Sequence, residues 1–158
     1  MTVNVIVKLR ILFWCTSVSV LLFSYFIVRK NISNKNLSGF LISSAFLTAL
    51  ILFDDFFYIH HFFRKVLHIS NTIFYLLYPA ATIIIIKLYS RTILETEYFL
   101  IIIAYCFLGL GVIVDLLTDG KIIQFQSSVL LENLMKISGS LLWMIYFYRS
   151  SFNFLKQQ

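Results

Sequence analysis

The stretch FLTALILFDDFFYIHH, residues 46–61, decides how this chain is read. From Phe46 to Phe53 it carries no charge and a single hydroxyl, Thr48, as the interior of a membrane helix does. Two adjacent carboxylates, Asp54 and Asp55, and two adjacent imidazoles, His60 and His61, follow directly. A charged side chain facing lipid at mid-membrane costs about 2.5–3.5 kcal/mol on insertion scales. The run therefore ends near a membrane surface, or its charges turn inward toward partners.

Composition supports the membrane reading. The chain has 158 residues, 60% hydrophobic and 13% charged, with a mean hydropathy of +0.90. Soluble domains carry about 25% charged residues, so a soluble fold of this composition would lack a polar coat. Apolar runs of about 17 or more residues recur without strand-like alternation, which favours helices over a barrel. The expectation is an all-α integral membrane bundle of five transmembrane helices forming one domain, 1–158, with spans at about 11–28, 38–58, 71–86, 99–117 and 129–148. Lys8 and Arg10 precede an apolar run with no small-x-small cleavage site, so the first span is read as retained. Pro79, the single proline, falls inside the third span and predicts a kink that neighbouring helices satisfy. Residues 62–70 and 91–97 mix apolar and basic side chains and read as interfacial connections.

The net charge of +6 is no nucleic-acid footprint, because the cations flank apolar segments instead of forming an arm or face. The partner it implies is the lipid bilayer. Arg29, Lys30, Lys35, Lys87, Arg91, Arg149 and Lys156 fall on one side of the five-span topology, and Lys8, Arg10, Arg64, Lys65 and Lys121 on the other. Seven against five puts the N-terminus outside and the C-terminus in the cytoplasm. Cys15 and Cys106 both lie in apolar segments and read as small packing residues, and two cysteines are too few for a Cys/His metal framework. His68 reads as interfacial.

Counting along the spans puts the acidic residues at one depth. Asp54 lies 16 residues past Ser38, Asp115 lies 16 past Phe99, and Glu132 lies 16 before Tyr148. Each is roughly 24 Å into a core about 30 Å thick, near the outer leaflet. Helical spacing aligns Asp55 with Ser44, Thr48, Ile51 and Tyr58, and Asp115 with Gly111. It aligns Glu132 with Lys136, Gly139 and Trp143. The expectation is an outward-opening polar pocket built from Asp54, Asp55, Tyr58, His60, His61, Asp115, Glu132 and Lys136.

Three purposes fit this pocket. Asp55, His60, Asp115 and Glu132 are the ligand types of a divalent metal site, and the same groups suit a proton relay. Alternatively, Lys136 bridges Asp115 and Glu132 as structural glue, with Tyr58 and histidine capping the Asp pair. In the third reading Asp54 and Asp55 mark the wet end of a helix. At the level of function, a metal or proton site with transport or hydrolytic activity stands against an accessory subunit of a larger membrane complex. The small size and 18% aromatic content favour the subunit. Phosphate-cradling loops, Cys-x-x-Cys, Gly-x-Ser-x-Gly and His-Glu-x-x-His are all missing.

Asp54-Asp55-Phe56-Phe57-Tyr58-Ile59-His60-His61, Val114-Asp115-Leu116, and the series Glu132, Lys136, Gly139, Trp143 occur in this order. Across Leu50 to Tyr148 the chain thereby resembles an uncharacterised group of small polytopic bacterial membrane proteins. Their shared segment reads roughly Asp-Asp-x-Phe-x-x-His-Glu. His61 stands where that group has Glu. The resemblance implies a polytopic helical fold in a bacterial plasma (inner) membrane and a polar constellation, and no activity.

Overall fold

The computed structural model describes residues 2–30, 35–57, 59, 71–119 and 128–156. Among them are six helices and no strand: α1 Thr2–Val28, α2 Lys35–Phe57, α3 Asn71–Leu88, α4 Ser90–Leu94, α5 Tyr98–Asp119 and α6 Ser128–Lys156. Three are long and apolar enough to cross a membrane: α1 from Asn4, α2, and α5 to Leu117. The described side chains of α3 add a shorter apolar stretch, Leu76–Leu88, and the helix continues through Pro79. The first helix starts well before the expected Ile11, and the last runs beyond Tyr148 to Lys156. In the connection 91–97, a short helix, α4, follows α3 after Tyr89 alone. The connection 62–70 lies outside the described residues.

The helices pack in the spatial order α5, α6, α1, α2, with α6 and α1 in the middle, while α3 touches α2 only lightly. Trp143 of α6 is the hub. It is 1% exposed and meets Trp14 of α1 (5.7 Å between ring centroids), Tyr105 of α5 (5.1 Å) and Phe147. All three contacts are edge-on, the geometry the aromatic quadrupole favours. Its indole N–H donates to the Thr48 hydroxyl of α2 at 3.2 Å, and that hydroxyl donates to the Ser44 carbonyl at 2.7 Å. A buried polar indole edge and a buried hydroxyl thus satisfy each other. Tyr105 donates to Thr82 of α3 at 2.8 Å, and Thr82 donates to the Tyr78 carbonyl.

Small residues let α5 and α6 approach closely. A Cβ added to Gly139 would stand 3.0 Å from the Leu108 backbone nitrogen and 2.6 Å from its Cγ. One added to Gly111 would stand 2.8 Å from Lys136 Cγ. The expected ridge of Gly111 and Gly139 is therefore the α5–α6 seam. Outward, the molecule presents Phe23, Phe46, Leu88 and Phe99, each about two-thirds exposed.

Candidate functional site

The charged residues of the interior gather at the end of the bundle formed by the start of α1 and α6 and the close of α2 and α5. Phe40 packs on Phe147, and Thr48 bonds Trp143, so α2 and α6 run antiparallel. From the Thr48–Trp143 bond, Asp55 lies seven residues toward the end of α2, and Lys136 lies seven toward the start of α6. Both steps are about 10 Å in the same direction. Two ionic clusters therefore stand at one level, as the spacing along the spans predicts.

The first cluster joins α1 to α2. Arg10 grips Asp55 with two nitrogens. Nη2 donates to Oδ1 at 3.1 Å, and Nε approaches Oδ2 at 2.7 Å as an ion pair too oblique for a hydrogen bond. The Trp14 indole N–H donates to the same Oδ2 at 2.9 Å. Arg10 and Trp14 are four residues apart, hence on one face of α1, and α2 brings Asp55 to that face. The Arg10 side chain is 9% exposed and that of Asp55 20%. Asp54 is buried beside it, near the Tyr78 hydroxyl of α3. Neighbouring carboxylates thus point to different helices.

The second cluster joins α5 to α6. Lys136 Nζ lies 3.1 Å from Asp115 Oδ2 and 2.7 Å from Glu132 Oε1. Its pair with Glu132 is the i,i+4 arrangement in the favourable order. Gly111 leaves the space through which the Lys136 stem passes along α5. All three side chains are between 17% and 19% exposed, so the cluster is sheltered without being sealed. The opposite end of the bundle is tied by Arg149 and Glu97, at 2.6 Å and largely in solvent.

Of the expected pocket residues, the structure brings Asp115, Glu132 and Lys136 together and engages Asp54 and Asp55 with other helices. Tyr58, His60 and His61 lie outside the described residues. Among the described residues no three His, Cys, Asp or Glu side chains are grouped to hold a metal ion. Arg10 corrects an expectation: it is a buried ion-pair partner, and no headgroup cation. The sequence shows little of Arg10, Trp14 and Tyr78 as partners, because a span beginning at Ile11 leaves Arg10 at its edge and Tyr78 stands in an otherwise apolar run of sequence. The available signal was an arginine directly before an apolar run, with a tryptophan four residues on. Cys15 and Cys106 are free and exposed on the outside of their helices, so they are not interior packing residues.

The interior near Trp143 and Tyr105 holds a cavity of about 30 Å³, room for roughly one water. That is too small for a substrate, and it lies away from both ionic clusters. None of the curated proteins and none of the solved structures matches the chain. Residues 1–150 match the family model described as a domain of unknown function, DUF8692, and the chain belongs to that family.

Proposed function

We propose that this chain is a five-span membrane protein acting as an accessory or structural subunit of a larger membrane complex, with ionic clusters that lock its own helices. The observation that carries the reading is Lys136 held between Asp115 and Glu132, with contacts of 3.1 and 2.7 Å. Arg10 and Trp14 occupy Asp55 in the same way. The competing reading, a divalent metal or proton site of Asp55, His60, Asp115 and Glu132, requires these carboxylates to give up Lys136, Arg10 and Trp14. The 18 residues of α3 and 29 of α6 rise about 27 and 43 Å. Both are long enough for a core about 30 Å thick, within a few ångströms for α3, which supports reading them as the remaining two of five spans. The seven-to-five distribution of basic residues favours an outside N-terminus, and the resemblance to small bacterial membrane proteins favours a bacterial plasma membrane.

The test is elemental analysis and native mass spectrometry of the protein extracted intact from its membrane in mild detergent. The expected result is substoichiometric metal and a stable assembly with other membrane subunits, far heavier than the 18.5 kDa chain. One equivalent of metal per chain, lost in Asp115→Asn, overturns the reading in favour of a metal site.

A further inference from the structure

Between α1, α2 and α3 lies an open apolar groove of about 630 Å³. Ala45 and Ala49 of α2 form its floor, Leu22 of α1 one wall, and Ala81, Ile84 and Leu88 of α3 the other. It exists because α3 touches α2 so lightly, and small side chains at 45, 49 and 81 leave the space between them unfilled. An occupant has to be apolar along the groove.

The mouth is charged, with cations just past the end of α1, at the start of α2 and near the end of α3. Arg29 lies seven residues after Leu22 and Lys35 seven before Ile42, both groove residues. A spacing of seven returns to the same helical face. Lys87 lies three residues after Ile84 and next to Leu88. All three cations are exposed, as are Lys30 and Arg91 near by. The described carboxylates at this end are Glu95 and Glu97, and Arg149 engages Glu97.

The groove is also short. From Ile42 to Leu50 on α2 it runs about 12 Å, and from Leu88 to Ala81 on α3 about 10 Å. One leaflet of the hydrocarbon core is about 15 Å deep. A partner's transmembrane helix would need contact across both leaflets, whereas one acyl chain entering from the basic mouth needs only one.

We propose that this groove is a binding site for an anionic phospholipid, with one acyl chain along Ala45, Ala49 and Ala81 and the phosphate at Arg29, Lys35 and Lys87. The assignment rests on the membrane-embedded reading alone and is independent of whether the chain is a subunit. Apolar fit supplies the groove's share of the affinity. The three cations supply the choice of headgroup, because phosphate oxygens accept charge-assisted hydrogen bonds from such donors.

The test is native mass spectrometry of the full chain in detergent, titrated with phosphatidylglycerol or with phosphatidylcholine of identical acyl chains. One phosphatidylglycerol should be retained at least about tenfold more strongly than phosphatidylcholine, a preference worth about 1.4 kcal/mol. Ala81→Phe should fill the groove and lower retention of both lipids. The combined change Arg29→Gln, Lys35→Gln and Lys87→Gln, all at exposed positions, should abolish the preference while leaving phosphatidylcholine retention unchanged. If Ala81→Phe fails to fold, the glutamine variant decides. Equal retention of the two lipids by the unaltered protein overturns the proposal. So does an unchanged preference in the glutamine variant, or a dimer that Ala81→Phe disperses.

Discussion

Lys136 shows at the scale of one residue how a charge is carried inside an apolar bundle. Its ammonium stands between two carboxylates on two helices, so each member offsets the desolvation of the others. Breaking a buried pair costs about 3–5 kcal/mol. With about one-fifth of each side chain exposed, screening by water brings the expected loss for Lys136→Met nearer ~2 kcal/mol. The triple change Asp115→Asn, Glu132→Gln and Lys136→Met removes the orphaned charges as well. Its melting temperature in detergent should lie above that of Lys136→Met alone, and a triple variant that melts lower would argue for a role beyond packing. Arg10 and Asp55 are held more tightly, with Arg10 9% exposed and a two-nitrogen grip. Arg10→Met and Asp55→Asn should each cost about 3 kcal/mol. A double-mutant cycle should return a coupling of about 1–3 kcal/mol, and additive losses would show that the pair contributes nothing as a pair.

Between elements, the α5–α6 seam depends on the absence of side chains. Gly139 faces the backbone of Leu108, whereas a Cβ at Gly109 would meet nothing within 4 Å. Gly139→Leu should therefore force the helices apart, at about 1–3 kcal/mol of overpacking, and shift the Lys136 stem from its path beside Gly111. Gly109→Leu is the matched control, and its melting temperature should stay unchanged. Equal effects from the two would mean that the seam lies elsewhere. This ridge was legible in the sequence because Gly111 and Asp115, and Gly139, Lys136 and Glu132, follow helical spacing. The short α4 was not, because five residues between two long helices carry no periodicity of their own.

Over the whole molecule, the topology sets which membrane face meets each charged end. An outside N-terminus places the Arg10–Asp55 and Lys136 clusters in the outer leaflet and the basic mouth at Arg29, Lys35 and Lys87 on the cytoplasmic side. A reporter active only outside the cytoplasm, fused after Gln158, should be silent. Strong activity would reverse the orientation and carry both clusters to the inner leaflet.

The amino-acid sequence by itself determined the helical class, the positions of the long apolar segments and the spacing that sets Asp54, Asp115 and Glu132 at one level. These follow from local quantities: hydropathy, helical rise and the cost of a charge in lipid. It also made Lys136 a neighbour of Glu132, since four residues along a helix close that distance without any tertiary contact. Only the tertiary structure decided that Asp55 belongs to Arg10 and Trp14 and that Asp54 lies near Tyr78. A carboxylate's partner depends on which helix packs beside it. Trp143, meeting α1, α2 and α5 at once, sets that arrangement through contacts far apart in the chain.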